Sequence, residues 1–95
     1  MYRAQKIIDT RKAPSYAAQM AKHFAHKIDV EVADDLIVFH FNAGTGRVEV
    51  GEAHLTLHVE AASQPQMQEV ARILARHLER FAFREGLSIA WPDIL

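Results

Sequence analysis

The sequence predicts a two-layer α+β sandwich, in which two helices cover one face of a single antiparallel sheet. Residues 2–9 and 28–60 alternate apolar and polar side chains, as strands with one buried face do. Residues 14–27 and 63–85 repeat apolar side chains at helical spacing instead. With 95 residues, 49% of them hydrophobic, the chain is long enough for one core, and we expect a single domain over residues 1–95.

The first strand is predicted at residues 2–9, where the weak alternation indicates an edge position. A helix is predicted to begin at Pro14, since the missing N–H of proline costs nothing in a first turn. We expect this helix to run to about Lys27. Its apolar stripe is formed by Tyr16, Ala17, Met20, Ala21 and Phe24.

Four strands are predicted in the middle of the chain. The first covers residues 28–32 and is followed by a tight turn at residues 33–35. The second, "LIVFHF", is apolar on both faces, and the Gly-rich "NAGTG" connects it to the third as a hairpin. The last two strands flank Gly51-Glu52. Their inward side chains are predicted to be Ile28, Val30, Val32, Ile37, Phe39, Phe41, Val48, Val50, Leu55, Leu57 and Val59.

A second helix follows, with Ser63 and Gln66 as a capping box and Gly86 as its end. The segment "LSIAW" alternates again, so we expect a short C-terminal strand or a segment packed over the sheet edge. The buried stripe of the helix is predicted to be Met67, Val70, Ala71, Leu74, Leu78 and Phe81.

The order β-α-β-β-β-β-α fits a topology like that of TATA-binding-protein-like or helix-grip folds. Because both helices cover the same sheet face, the other face stays open. Leu36 and Val38 would lie on this open face among polar residues, which indicates a partner or a homodimer.

Composition excludes several classes of protein. A formal net charge of −1 argues against a nucleic-acid binder, and the absence of cysteine excludes thiolate chemistry. No apolar run approaches the roughly 20 residues of a membrane span. The N-terminal "MYRAQKIIDTRK" has no apolar core of a secretory signal, so we expect a soluble, cytoplasmic protein. The sequence has no nucleophile-elbow, P-loop, dinucleotide or HExxH motif, so an enzyme is the least favoured class.

Two histidines stand three residues apart in "AKHFAHKI". His23 falls at the boundary of the apolar stripe and His26 faces solvent. His77 flanks the core stripe of the second helix, so the three form a cluster if the two helices are neighbours. They would then be candidate metal ligands. The alternative is that these are boundary and half-buried histidines, hydrogen-bonded to backbone carbonyls, since a metal site normally needs three or four ligands.

A second, weaker set of histidines lies on the open sheet face. His54 and His58 are four apart on a strand and share that face, and His40 joins them if its strand pairs nearby. With Glu49 and Glu60 they form a His/carboxylate group of the kind that suits zinc or ferrous iron. The alternative is an ordinary polar face of a half-buried sheet.

The second helix also carries an arginine at every fourth position. These arginines could bind an anion or an acidic partner, or form a solvated face with salt bridges to Glu69, Glu79 and Glu85. The arginines are Arg72, Arg76, Arg80 and Arg84. Phe83 falls opposite the core stripe, so either the helix ends there or Phe83 contacts a partner. Trp91 is either an interface anchor or a core-edge residue.

The stretches "KHFAHK", "LTLHVEA" and "RHLERFAFRE", followed by Trp91, resemble a family of small bacterial proteins known as a domain of unknown function (DUF2218). The resemblance covers nearly the whole chain. It implies an association with iron acquisition and siderophore handling but no established activity. The matching residues are His23, Phe24, His26, Lys27, His77, Leu78, Arg80, Phe81, Phe83 and Trp91.

These observations predict a binding or accessory module for a metal ion or a small anionic chelate. Its ligands would be His23, His26 and His77, and Lys27 and Arg80 would supply charge. Further candidates for ligand contact are Arg84, Phe83 and Trp91. The alternative is a structural interaction module or homodimer whose histidines only hold helix to helix. The cofactor stays unknown at this point, with a metal ion as the candidate.

Overall fold

Residues 1–89 and 91 are described by a computed structural model, which has one five-stranded antiparallel sheet and two helices. The predicted order of elements and the α+β class are confirmed. The elements are β1 (Tyr2–Asp9), α1 (Ala13–Phe24), β2 (Asp29–Ala33), β3 (Leu36–His40), β4 (Thr45–Val50), β5 (His54–Ala61), α2 (Gln64–Phe81) and a 3₁₀ turn (Phe83–Glu85).

The strands are ordered β1-β5-β4-β3-β2, and every neighbouring pair is antiparallel. Strands β2 to β5 form a meander, and β1 pairs with β5 along its whole length. This leaves β1 and β2 as the edges, which confirms the predicted edge position of β1. Helix α1 packs over β2, β3 and β4, α2 packs over β1, β4 and β5, and the two helices contact each other.

The core lies between the helices and the inward side chains of the sheet, as the alternation predicted. One predicted core position of the sheet differs, because Val32 lies near the end of the edge strand β2 and is 67% exposed. Four others are half-buried and pack against the core, namely Ile28, Val30, Phe41 and Val50. The largest fully buried side chains are Phe39, Met20, Leu55, Leu57, Leu74, Leu78, Val48, Val59 and Val70.

Helix α1 ends at Phe24, three residues before the predicted end at Lys27. The Phe24 carbonyl accepts two hydrogen bonds, from the backbone N–H groups of Lys27 and Ile28, both at 2.9 Å. These bonds close a turn that leads directly into β2. His26 and Lys27 therefore lie in this turn and not on the helix.

Helix α2 begins as predicted, since the N–H of Gln66 donates to the Ser63 hydroxyl oxygen at 3.3 Å. In a capping box the Gln66 side chain would accept from the Ser63 backbone N–H. Here it accepts from the Ser63 hydroxyl instead, at 3.0 Å. The helix ends at Phe81 and not at Gly86. Gly86 instead closes the 3₁₀ turn in the left-handed conformation, with φ 66°, where glycine has no steric cost.

The predicted C-terminal strand is absent over residues 87–89, and Ala90 lies outside the described residues. Ile89 and Trp91 are buried and belong to the core, and packing over the sheet edge stays a prediction. The N–H of Ile89 donates to the Glu79 carboxylate at 2.7 Å, which ties the segment to α2.

A polar clasp connects the 3₁₀ turn after α2 to the first turn of α1 and to the segment before it. The Glu85 carboxylate accepts from the buried Thr10 hydroxyl at 2.9 and 3.0 Å and from the buried Tyr16 hydroxyl. Hydrogen bonds from Tyr16 and Thr10 lower the pKa of Glu85, and the bond to Glu85 raises the pKa of Tyr16. The clasp is therefore made by an ionised Glu85 and a neutral Tyr16.

The Glu85→Gln variant should unfold at a lower temperature than the wild type at neutral pH. In the wild type, a lowered folded-state pKa of Glu85 contributes stability above about pH 4.5, and that stability falls as the pH drops below this value. The raised pKa of Tyr16 causes a second loss above about pH 10. Thermal unfolding followed by circular dichroism across pH measures both. Glu69→Gln, an exposed α2 substitution, is the control, and an equal effect of both variants would contradict the clasp.

The β3–β4 connection is a tight hairpin, as predicted from "NAGTG". The backbones of Phe41 and Gly44 exchange two hydrogen bonds across Asn42-Ala43, at 2.9 and 3.2 Å. A Cβ on Gly44 would overlap the backbone oxygen of Glu60 in β5. Gly44 is therefore needed for the close approach of β4 to β5.

Gly44→Ala should destabilise the protein more than Gly46→Ala. A Cβ on Gly46 meets the Cδ1 atom of Leu74 at 2.9 Å, and that side chain can turn, whereas the Glu60 backbone cannot move without breaking the ladder. We expect Gly46→Ala to cost about 1–3 kcal/mol, as overpacking usually does, and Gly44→Ala to cost more. Urea denaturation measures the unfolding free energy of both variants. A larger loss in Gly46→Ala than in Gly44→Ala would show that β4 can move away from β5 at little cost.

Candidate functional site

The two histidine-bearing stretches meet where the end of α1 packs against α2. The His23 and His77 ring centroids are 4.9 Å apart. The His23 ring also lies edge-on to Phe24 at 5.0 Å and to Phe81 at 5.9 Å. The sequence left the approach of His77 to His23 conditional on neighbouring helices, and in the structure the two rings are in contact.

His77 is half-buried, and its orientation is fixed by the backbone of its own helix. Its Nδ1 lies 2.7 Å from the Ile73 carbonyl oxygen, so the Nδ1–H group donates to that carbonyl. In the neutral ring this leaves Nε2 with a free lone pair. The expectation of a half-buried histidine bonded to a backbone carbonyl is confirmed. The same bond makes Nε2 the atom with which His77 can act as an acceptor or ligand.

His23 is the exceptional residue of this region. Its Nε2 is buried and has no hydrogen-bond partner in the described part of the chain. Burial lowers the pKa of His23, and the positive charges of His77, Lys27, Arg80 and His26 lower it further. His23 is therefore neutral at pH 7, the form in which imidazole offers a lone pair.

Five residues form what we call the basic end of the molecule. His23 and His77 are its inner pair, and the other members are His26 and Lys27 in the turn after α1, and Arg80 on α2. His26, Lys27 and Arg80 are exposed. A groove runs beside the turn and is lined by Ala25, His26, Lys27, Ile28, Asp29, His40 and Asn42.

The groove brings in three residues that the sequence did not assign to this end. His40 was predicted with the open-face set, and Asp29 and Asn42 were not singled out. They reach the groove because β2 starts at the turn after α1 and the β3–β4 hairpin lies beside it. Only the strand register, which pairs Asp29 with His40, carries this information.

No group of three or more His, Asp or Glu side chains suited to a metal ion occurs in residues 1–89 and 91. The inner pair is therefore a two-imidazole site with aromatic walls and a cationic surround. Such a site repels a bare divalent cation, since Lys27 and Arg80 lie close, and attracts anions. A neutral imidazole can still complete the coordination of a metal that an anionic ligand already holds.

The second histidine set does not converge. His58 on β5 and His40 on β3 are separated by β4. His54 lies four residues before His58 on β5. His58 Nε2 lies 2.7 Å from Glu49 Oε1, and His40 contacts Glu31. These are ordinary cross-strand pairs on an open face.

Glu60 also belongs to the open face and is held by two arginines. Arg3 Nε lies 2.7 Å from one carboxylate oxygen, and Arg47 lies 3.9 Å from the other. Leu36 and Val38 are half-buried on this face, as predicted. The homodimer expected through this face stays a prediction.

The remaining candidates lie apart from the inner pair. Phe83 is 70% exposed, and the Arg84 guanidinium lies 5.8 Å from its ring centroid. Phe83 is exposed because α2 ends before it, which was one of the two expected explanations. Trp91 is only 7% exposed, so it packs in the core. Of the arginines, Arg80 is the one whose charge acts on His23.

Comparison with known proteins gives a family and one similar structure. The model of the family described as "Uncharacterized protein conserved in bacteria (DUF2218)" matches residues 5–92. The NMR structure of PA4090 from Pseudomonas aeruginosa has a TM-score of 0.82 and 25% sequence identity, over 97% of this chain and 96% of that chain. None of the curated proteins compared matches the chain. In the described residues, neither helix is long and apolar enough to span a membrane.

His23→Leu should keep or raise the unfolding free energy at pH 7, because it removes a buried nitrogen that has no partner. The wild type should lose stability as the pH falls below about 6.5, since the unfolded chain takes up a proton at His23 before the folded protein does. The variant should lose less over that range. Urea denaturation between pH 5 and 8 would test this, with the exposed His54→Leu as the control. If the unfolding free energy of His23→Leu depends on pH as that of the wild type does, the lowered pKa of His23 is contradicted.

Proposed function

The chain belongs to the DUF2218 family of uncharacterised bacterial proteins, and we propose that it is a non-enzymatic binding module for a small anionic metal chelate. The basic end would hold this ligand. The iron association that the family resemblance implies directs the proposal to ferric chelates. A cytoplasmic location belongs to the same proposal.

One observation carries the proposal, namely the buried Nε2 of His23 with no partner beside the His77 ring. Leaving a buried polar atom unpaired costs about 1–3 kcal/mol in general, so such atoms often indicate a missing partner. Burial and nearby charges keep His23 neutral, so its Nε2 carries either the ring N–H or the lone pair. The missing partner is therefore an acceptor such as a carboxylate in the first case, and a hydrogen-bond donor or a metal with an open position in the second.

The charges around the pair favour an anionic ligand over a bare ion. Lys27 and Arg80 lower the pKa of His23 by their positive charge, and the same field would oppose an incoming dication. An anionic chelate is attracted by these groups, and its carboxylate or oxygen donors fit a guanidinium. The metal it carries then needs only one or two imidazole ligands.

The ligand would approach through the groove beside the turn after α1. His26 and Lys27 line this groove and are exposed, while His23 lies one turn back on the helix.

A binding role is favoured over a general-base enzyme because of what the inner pair contacts. In the described residues, His23 and His77 contact aromatic rings and a backbone carbonyl, and neither is bonded to a carboxylate. A catalytic histidine is usually oriented by such a carboxylate.

Calorimetric titration with Fe(III)–citrate tests the proposal, with citrate alone, Fe(II) and Zn(II) titrated in parallel. We expect Fe(III)–citrate to bind and the bare divalent ions to bind more weakly or not at all. Lys27→Gln should weaken binding by about tenfold, the effect of one lost charged contact of about 1.4 kcal/mol. His77→Gln should weaken it and also alter the absorption spectrum of the bound iron, since it removes a metal ligand.

The controls are matched in charge and residue type. Lys22→Gln removes an exposed lysine from the last turn of α1, and His54→Gln removes an exposed histidine from β5. Both should bind Fe(III)–citrate as the wild type does. Binding of Zn(II) alone at the inner pair, or equal losses in Lys22→Gln and Lys27→Gln, would contradict an anionic-chelate module.

A further inference from the structure

The outer side of α2 and the 3₁₀ turn after it carry the arginine row, by which we mean Arg72, Arg76, Arg80 and Arg84. All four side chains are exposed. Successive members are four residues apart, so three of them follow each other along the helix at intervals of about 6 Å. The row begins near the middle of α2 and ends beside the exposed ring of Phe83.

The arginine row has no ion pair with the described residues, whereas one of the two alternatives left open by the sequence was a solvated face with salt bridges. Two of the three glutamates expected to offset it are engaged elsewhere. Glu79 accepts the backbone N–H of Ile89, and Glu85 accepts from Thr10 and Tyr16.

This arrangement is unfavourable for the isolated protein. Like charges four residues apart on a helix repel each other and lower its stability. The whole chain has a net charge of −1, so the row is a local concentration of positive charge and not part of a generally basic surface. A partner with negative charges at the same spacing would relieve the repulsion.

We propose that the arginine row is the docking surface for an acidic α-helix of a partner protein. A helix with carboxylates at every fourth position repeats its charges at the same interval of about 6 Å, so each guanidinium can meet one carboxylate. Guanidinium groups bind carboxylates through two parallel hydrogen bonds, which fixes the register as well as the charge. Phe83, with Arg84 over its ring, provides an apolar anchor at one end.

The observations favour a protein helix over an anionic membrane surface. The arginines follow one line along α2, whereas a membrane-binding helix combines its basic residues with an apolar face turned to the lipid. The apolar face of α2 is buried against the sheet through Val70, Leu74 and Leu78. Phe83 is then the large exposed hydrophobic residue at this surface.

Fluorescence anisotropy with a labelled, alanine-based helical peptide that carries glutamate at every fourth position tests the proposal. A peptide of the same composition with the glutamates scrambled is the reference probe. The Arg72→Gln/Arg76→Gln double variant spares Arg80, so the basic end is unchanged. We expect the patterned peptide to bind more strongly than the scrambled one, and its binding to weaken as salt is added. In the double variant the affinity should fall at least about tenfold.

The control is Arg11→Gln/Lys22→Gln, which removes the same number of charges from exposed positions elsewhere. It should change binding by less than about twofold, since only the distant field is altered. The Arg72→Gln/Arg76→Gln variant should melt at the same or a higher temperature than the wild type, because repulsion along α2 is reduced. An unchanged or higher melting temperature would show that a loss of peptide binding in this variant is not caused by unfolding.

Three results would overturn the proposal. The first is equal binding of the patterned and scrambled peptides, and the second is an equal loss in the control variant. The third is binding of phosphatidylglycerol vesicles without binding of the patterned peptide, which would make the arginine row a lipid-binding surface. Each result is independent of Fe(III)–citrate binding at the basic end.

Discussion

The sheet has one apolar face, and no single helix is wide enough to cover it. Five strands spaced about 4.8 Å apart are about 19 Å across, whereas a helix with its side chains is about 10 Å wide. Two helices must therefore lie side by side on the same face. Helix α1 covers β2 to β4, and α2 covers β1, β4 and β5. The contact between the helices follows from this requirement.

The inner histidine pair is a consequence of that contact. Phe24 and Leu78 are buried core residues on the two facing helices, so the residues next to them, His23 and His77, are brought against each other at the seam. Burial at the seam lowers the pKa of His23, and the Ile73 carbonyl fixes His77. A site with two imidazoles inside and cations outside thus arises where core packing ends and solvent begins.

The same packing decides which charged groups remain available. The C-terminal segment folds back so that Ile89 and Trp91 are buried, and its backbone occupies the Glu79 carboxylate. The clasp to Thr10 and Tyr16 occupies Glu85. Both glutamates are thereby directed away from the outer side of α2, and the arginine row is left without intramolecular partners among the described residues. The hydrogen bonds of Glu79 and Glu85 therefore hold the C-terminal segment and the 3₁₀ turn in place and also leave the arginine row exposed.

The sequence by itself determined the type and order of the five strands and two helices, because hydrophobic periodicity reflects which face of each element is buried. It left a further C-terminal strand open and did not predict the 3₁₀ turn. It also determined the N-cap at Ser63 and the open sheet face. It misplaced the ends of both helices, since the bonds to the Phe24 carbonyl and the turn at Gly86 depend on where the next segment must go. Only the tertiary structure decided that His23 meets His77, that His40 joins the groove of Lys27, and that Glu79 and Glu85 leave the arginine row. These contacts join residues far apart in the chain, and local pattern carries no information about such pairs.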